Sequence, residues 1–525
     1  MFQNLKSHKF KVISFGLLVL LNLVLRIPSI PHEKGRDSFF IHSLANSINA
    51  FGQANWWEHW LSIFGYYPYS YASGLPFTLS GMSQLMGINV ETSILIYSFI
   101  FGVFSIFIAF TLAGLIYKNY IFQYFMAFFF SISPGIMLFT TWEASARGPF
   151  MIFLPFFIYL LLKKYSISKK LMLSAMCITF LFSLHHYAIF AIVLTMAYIV
   201  LQIVFMLGRF FEIKYSLHKY EDKINLLYLF ILVSSFMYPF LTHTMITAGS
   251  RYGWIIDLLT INLRFIGPAA FFAISGVISL SLSAKKSFSQ WYFLISFIFM
   301  VPFVYDLLYG HYLLLLFSIV FLSIGFKNSI YSRLQKNNNM VRVVAVFAIS
   351  IILVSTLFTA FYNHSRTGEY QYLWYMNEKN YDLANWIDGE INHSSRIFMV
   401  SENNYEVRTI ALVENEMPIL VGGVQGFAYG YINDSYLDNL EEVPMTSSYF
   451  YSEGPYRVEE RDIYRSMDWY ISNKDIKIIK DVYTLDYLVQ SRTGPYKTKG
   501  LSTENAEIIY SNGILDIYNL RQIEV

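Results

Sequence analysis

The chain has 525 residues, of which 55% are hydrophobic, 19% aromatic and 14% charged, and its mean hydropathy is +0.44. No soluble domain of that length carries such a composition without large exposed apolar patches, so an ordinary soluble enzyme is excluded and an integral membrane protein is expected. The net charge of +3 gives no basic footprint for nucleic acid, and the single cysteine, Cys177 inside an apolar run, allows neither a disulfide framework nor a cysteine metal cluster.

The N-terminus carries Lys6, Lys9 and Lys11 ahead of an apolar run that begins near Val12. A signal peptide starts in this way, but Arg26 and Pro28 follow with no small-residue cleavage site, so a retained anchor is expected. Further apolar stretches of membrane-spanning length begin near Thr92, Tyr120, Pro149, Leu171, Tyr187, Asn225, Leu263, Gln290, His311 and Val343, for eleven expected spans in all.

With the N-terminus inside, the inner loops hold Lys118, Lys163, Lys164, Lys169, Lys170, Arg209, Lys285, Lys286, Lys327 and Arg333 among others. The short outer loops hold only Lys34, Arg36, Arg147, Arg251 and Arg264. This is the positive-inside bias, and it sends the C-terminus outside. Acids show the reverse pattern: Glu33, Asp37, Glu58, Glu91, Glu143, Asp257 and Asp306 all fall on the outer side, and only Glu212, Glu221 and Asp222 face inward, in one loop. Orientation does not require this of acids, which suggests that the outer face is functional.

The first outer loop, residues 31–91, is far longer than a connector needs. Its opening segment "HEKGRD" (32–37) concentrates charge where the chain leaves the first span. Phe40, Ile41, Leu44, Ile48 and Phe51 then recur at helical spacing with polar residues opposite, the pattern of a helix lying along the membrane surface. Trp56, Trp57 and Trp60 suit the interface, where an aromatic belt without further function accounts for them. The second outer loop, residues 139–148, contains Glu143 and Arg147.

After Tyr362 apolar runs shorten and charges rise, which divides the chain into a membrane domain (1–362) and an α/β domain outside the membrane (363–525). "YDLANWIDGEI" places Leu383, Trp386, Ile387 and Ile391 on one helical face, and "SRIFMVS" and "MPILVGG" read as short buried strands. "AEIIYSNGILDIYNL" reads as a hairpin whose Asn512-Gly513 suits a type I′ turn. The glycines of "GGVQGFAYG" form no GxGxxG before a helix and predict strand ends rather than a nucleotide cradle.

An acid at the start of a long first outer loop, a surface helix, a Trp-rich stretch, "GYYPYSYASGLPFTLSGMSQLMG" before the second span and "SPGIMLFTTWEASARGPF" after the third follow one another on the expected side. In that order they resemble the catalytic subunit of oligosaccharyltransferase and its archaeal and bacterial relatives among the GT-C glycosyltransferases. The resemblance is carried by Pro31 to Leu162. It implies a bundle of about eleven membrane helices with an extracytoplasmic C-terminal domain, in the plasma membrane. It further implies transfer of a sugar from a polyprenyl-phosphate or polyprenyl-diphosphate carrier to an acceptor on the outer face, protein glycosylation being one such reaction.

Such a reaction needs a base for the acceptor nucleophile and cations for the leaving phosphate. Asp37 matches the family's first-loop acid, and partial desolvation there would make it a better base. The alternative is a solvated charge paired with Lys34 or Arg36. Glu33, four positions earlier, is expected to be an interfacial charge. Glu143 would help Asp37 bind a divalent metal, magnesium or manganese, or orient the acceptor. Two carboxylates leave most of a metal's shell to water and phosphate, and the sequence departs from oligosaccharyltransferase by lacking a pair of acids at Ala144 to Gly148.

Arg147 would pair with the carrier phosphate, or else anchor a span in the headgroups. His186 would hydrogen-bond substrate, or simply end a span together with His185. Adjacent histidines on a helix point apart, which disfavours a two-histidine metal site. Arg251, near His243 and Tyr252 in "HTMITAGSRYGW", is the next phosphate candidate, and His311 in "DLLYGHY" a further one.

The Trp-Trp-Asp motif of oligosaccharyltransferases is absent after Tyr362. The acceptor is therefore left open among sugar, lipid and protein, with membrane lipids as the surrounding partner. A transporter or flippase is the rival reading, although the span centres are nearly free of the ionisable groups such pathways use. A non-catalytic anchor for a surface domain is a third, but it leaves the long first loop unexplained.

Overall fold

The computed structural model describes residues 8–54, 72–210, 221–241, 263–302, 310–335, 338–364, 378–392, 394–400, 419–420, 480, 485–491 and 506–521. Each of the eleven apolar stretches coincides with a helix. They are α1 (His8–Leu25), α4 (Val90–Ile116), α5 (Tyr120–Ser131), α7 (Arg147–Leu162), α8 (Ile167–Leu184), α9 (Ile189–Phe210), α10 (Glu221–Leu241), α11 (Phe272–Ser281), α12 (Phe288–Met300), α13 (Gly310–Ser329) and α14 (Asn339–His364). Among the described residues, six helical stretches are long and apolar enough to cross a membrane, and shorter apolar helices pack with them. Between the spans lie α2 (Arg36–Phe51), α3 (Gly74–Met86) and α6 (Pro134–Leu138).

Local chemistry sets several boundaries. Asn89 caps α4 by accepting from the Thr92 N–H at 2.9 Å, and Asn119 caps α5 by accepting from the Phe122 N–H at 3.1 Å. Pro134 opens α6, where its missing N–H costs nothing, and Ser287 with Gln290 forms a capping box at α12.

Lipid offers no hydrophobic driving force between helices, so packing must come from close fit and internal hydrogen bonds. Gly276 of α11 and Gly325 of α13 show the first: a Cβ on Gly276 would collide with the Phe321 carbonyl, and one on Gly325 with the Phe272 carbonyl. Large aromatics such as Phe122, Phe129, Phe150, Phe157 and Phe293 fill the bundle interior, while Met172 and Met176 of α8, Ile199 and Ile203 of α9 and Phe347 and Phe358 of α14 face outward.

Arg26 shows the second. It is buried just beyond α1 and donates to Asn22 O and Oδ1, Ser131 O, and Thr140 O and Oγ1 at 2.8 to 3.2 Å. Its side chain fits only because Gly102 of α4 has no Cβ in its way. One guanidinium fork thus ties the end of α1 to Ser131, which ends α5, and to Thr140, on the segment between α5 and α7.

At the C-terminal end, α15 (Glu378–Glu390) buries Leu383 and Ile387, with Ile391 just beyond it, as the helical spacing predicts. β1 (Ile397–Val400), β2 (Ile419–Leu420), β3 (Tyr487–Ser491), β4 (Glu507–Ser511) and β5 (Leu515–Asn519) form a sheet in the order β2-β1-β3-β5-β4. β1 runs parallel to β2 and β3, and β5 is antiparallel to β3 and β4. The β4–β5 hairpin forms, but its turn differs from the expected type I′. Only Gly513 takes a positive φ (84°), and Asn512 Oδ1 accepts from the N–H groups of Ile514 and Leu515. An Asx turn therefore replaces the two-residue turn, because the asparagine side chain competes for the backbone donors.

Candidate active site

The segment that follows α1 and the segment that leads into α7 meet at one end of the bundle, and α2 brings Asp37 to the junction. Gly35, at the N-cap of α2, has φ 99°, and a Cβ there would lie 2.6 Å from Glu143 Cδ. Glycine is thus required twice, by the backbone conformation and by the close approach of Glu143.

Asp37, in the first turn of α2, accepts a hydrogen bond from Arg147 Nη1 at 2.7 Å, with side-chain exposures of 40% for Asp37 and 24% for Arg147. Arg147 starts α7, and its guanidinium lies 5.7 Å from the Phe139 ring centre and 5.5 Å from that of Tyr312. Flanking aromatic faces hold a guanidinium in place while leaving its polar edge usable.

Behind this pair Glu143 is buried, and among the described residues its Oε2 has no hydrogen-bond partner. Burial pushes its carboxyl up to about 8; Asp37 and Glu33 push the same way, while Lys34 and Arg147 oppose them. Glu143 is therefore mostly protonated at neutral pH.

The segment before Glu143 is held under strain. Trp142 takes φ 46°, uncommon for a residue with a side chain, and is anchored at both ends. Its Nε1 donates to Glu91 O at 3.2 Å, and its carbonyl accepts from Lys34 N–H at 3.2 Å. Glu91 Oε1 in turn accepts from Glu33 N–H at 3.0 Å and pairs with His32 Nδ1 at 3.2 Å. The His32 ring stacks on Tyr381 of α15, with centroids 4.3 Å apart, which joins the C-terminal helix to the rim of the site.

His185 and His186 sit near the same junction. α8 ends at His185, which is extended, and His186 begins a single 3-10 turn, so the two rings stack at 4.4 Å. This corrects the expectation that they point apart, which presumed an unbroken helix. His185 Nδ1 accepts from Tyr187 N–H at 3.1 Å, and burial, with His186 and Arg147 nearby, holds its ring well below the usual histidine range.

No protein-family model and no curated protein matches the chain. Among solved structures, a variant of the arabinofuranosyltransferase AftD from Mycobacteria superposes with a TM-score of 0.52 at 11% identity, over 98% of this chain and 41% of that one. The fold is GT-C-like. The chain spans about two-fifths of AftD's length. ArnT from Cupriavidus metallidurans in the apo state gives a TM-score of 0.44 at 11% identity, over 98% of both chains. ArnT bound to undecaprenyl phosphate gives 0.42 at 10% identity, again over 98% of both.

Within this GT-C-like fold, Asp37, Glu143 and Arg147 come together, with His186 close by. His311 lies in the first turn of α13 beside Tyr312, and its side chain falls outside the described residues. Arg251, His243, Tyr252, Asp257, Asp306 and the tryptophans at 56, 57 and 60 also lie outside them.

Three expectations change. Glu33 is not an interfacial charge but is 0% exposed, because Ser38 and His42 satisfy its carboxylate at 2.7 and 2.5 Å. Asp37 pairs with Arg147 rather than with Lys34, and the burial expected of Asp37 belongs to Glu143. Helix α2 does not lie on the surface with its polar side in water: Ser38, His42, Ser43, Asn46 and Ser47 are buried along with Ile41 and Leu44.

The donor set fits a resident magnesium or manganese ion poorly. Asp37 is bound to Arg147, and no group of three or more His, Cys, Asp or Glu among the described residues is placed to hold a metal.

The roles of Ser38, His42 and Tyr312 were not visible in the sequence, where Glu33 and Glu91 stood only as charges on the outer side. One signal was available: Ser38 and His42 are spaced i, i+4 directly after Asp37, so they share a face of α2.

Proposed function

We propose that the protein is a membrane glycosyltransferase that takes a sugar from a polyprenyl-phosphate-type carrier and passes it to an acceptor hydroxyl outside the membrane, and that residues 1–362 form its membrane domain. The observation that carries the reading is the half-exposed Asp37–Arg147 pair over the buried Glu143, at the polar end of a fold shared with an arabinofuranosyltransferase. A phosphate brings charge and geometry that match the arginine fork better than one carboxylate does. Carrier phosphate therefore competes with Asp37 for Arg147, and its arrival releases the Asp37 carboxylate towards the acceptor.

In the transfer step the acceptor oxygen attacks the anomeric carbon and forms the new glycosidic bond. The bond from that carbon to the phosphate oxygen breaks, and its electron pair leaves with the phosphate, whose charge Arg147 stabilises. The acceptor's proton passes to Asp37. Glu143, protonated and desolvated, presents a neutral wall beside the phosphate rather than a second repelling anion.

The reading is tested by purifying the protein with native lipids and identifying co-purifying lipids by mass spectrometry, for wild type and for Asp37→Asn. A polyprenyl-phosphate-linked sugar enriched in either sample is expected, more strongly in Asp37→Asn, which binds but does not turn over. If neither sample retains such a lipid and added carrier does not bind, the reading fails and a transporter gains ground.

A further inference from the structure

Ser38 follows Asp37 in α2, and its hydroxyl joins the two halves of the site. It donates to Glu33 Oε2 at 2.7 Å and accepts from the Ala144 N–H at 2.7 Å. Asp37 is therefore one residue from one end of this link, and Glu143 one residue from the other. A serine hydroxyl has a single proton, so giving it to Glu33 turns the oxygen lone pairs towards Ala144. The carboxylate sets the direction of the hydroxyl.

Glu33 is itself fixed from three sides. Ser38 holds one oxygen, His42 Nδ1 holds the other at 2.5 Å, and the backbone N–H is taken by Glu91 Oε1 at 3.0 Å. His42 lies one helical turn beyond Ser38, so both partners come from the same face of α2. Glu33, Ser38 and His42 are essentially inaccessible, at 0%, 0% and 1% exposure, which removes water as a competing partner. The trio is not a nucleophile and its base, because the serine proton goes to the carboxylate and not to the imidazole.

We propose that Glu33, Ser38 and His42 form a positioning unit that sets Asp37 in α2 against Glu143 and Arg147 across the junction of the two outer loops. The unit acts through those residues and touches no substrate. The proposal rests on the reading of Asp37 and Arg147 as the reacting centre, but its geometry can be tested without turnover.

The test uses full-length protein in lipid nanodiscs, comparing wild type with Ser38→Ala, Ser38→Thr and Glu33→Gln, each checked for folding by its melting curve. Dicyclohexylcarbodiimide, which attacks protonated carboxyls in apolar surroundings, labels Glu143, and peptide mass spectrometry follows that labelling against pH. Wild type is expected to lose labelling with a midpoint near pH 8. Ser38→Ala unlatches Ala144 and lets water reach Glu143, so its midpoint falls by about one pH unit or more. Ser38→Thr keeps the hydroxyl and stays close to wild type, and Glu33→Gln, which both weakens the orienting acceptor and removes a charge that raises the Glu143 carboxyl, falls as well.

Binding of undecaprenyl phosphate is measured on the same samples, with about a tenfold loss expected in Ser38→Ala and rescue by Ser38→Thr. Unchanged midpoints and binding in Ser38→Ala would overturn the proposal, as would a threonine that fails to rescue. If Ser38→Ala does not fold, a Glu33→Gln protein with a wild-type midpoint overturns it instead. Wild type that labels as expected but binds no undecaprenyl phosphate contradicts the functional reading and leaves the positioning unit to stand on its labelling.

Discussion

Arg147 Nη1 lies 2.7 Å from Asp37 Oδ2, across 110 positions of sequence. The bond crosses from the start of α2 to the start of α7, so neither segment alone forms the site. Asp37→Asn removes the charge and keeps the shape. Its sugar transfer is expected to fall by a factor of about 10² to 10⁴, the usual range for a lost general base, with carrier binding retained. A radiolabelled-donor transfer assay checks this, and full activity in a correctly inserted Asp37→Asn protein would sink the assignment.

Glu143 makes stability depend on pH. Its folded-state carboxyl is raised from 4.5 to about 8, so across that window the folded protein keeps a proton that the unfolded chain has released. Stability therefore falls as pH rises from about 5 to 8. Glu143→Gln abolishes this dependence and is expected to melt above wild type by a margin that widens with pH. Parallel melting curves for the two proteins from pH 5 to 9 would contradict the burial of this carboxyl.

Gly35 is the hinge at which α2 begins. Alanine there meets both a φ of 99° and a Cβ contact 2.6 Å from Glu143 Cδ. Gly35→Ala is expected to destabilise the protein by roughly 1–3 kcal/mol and to displace Glu143. A melting curve with carbodiimide labelling of Glu143 reports both effects, and an unaltered Gly35→Ala protein would show that the close approach is not maintained.

Arg26 holds five acceptors on α1 and on the segment around Ser131 and Thr140. Lysine keeps the charge but cannot reproduce the planar fork, and it leaves buried carbonyls unsatisfied. Arg26→Lys is therefore expected to cost roughly 2–4 kcal/mol. Thermal unfolding in nanodiscs measures it, and a loss near zero would mean that the buried fork contributes little to stability.

His32 couples the C-terminal helix to the rim of the site. The Glu91 hydrogen bond, against an opposing burial effect, raises its pKa above 6.5, with Glu378 and Glu33 contributing charge. Its contribution is fully present below pH 6.5 and is lost as pH rises through the raised folded value. Hydrogen exchange in residues 378–390, corrected for intrinsic rates, is expected to lose protection across that rise in wild type and to stay flat in His32→Gln. A wild type with no such change would argue against the latch.

Much of this fold was legible because lipid imposes simple rules. The apolar stretches contain helices, six of them among the described residues long and apolar enough to cross a membrane, and the acids at 33, 37, 91 and 143 gather at one end of the bundle. Asp37, Glu143 and Arg147 were readable as single residues from the family resemblance, but their pairing was not, since it depends on how α2 and α7 meet. Glu33 was misread for a physical reason: next to Lys34 and Arg36 a carboxylate looks solvated, and nothing local reveals that Ser38 and His42 turn inward to bury it. The surface-helix expectation for α2 failed similarly, because a polar face signals water only when no buried partners await it.

Whether Arg147 holds the carrier phosphate is decided by the binding of undecaprenyl phosphate to wild type, Arg147→Gln and Asp37→Asn in nanodiscs, measured by native mass spectrometry. Wild type is expected to bind, Arg147→Gln to bind at least about tenfold more weakly, and Asp37→Asn, where the competing carboxylate charge is gone, to bind equally or more tightly. Arg147→Gln binding the lipid as well as wild type does would place the carrier phosphate elsewhere and rule out this role for Arg147.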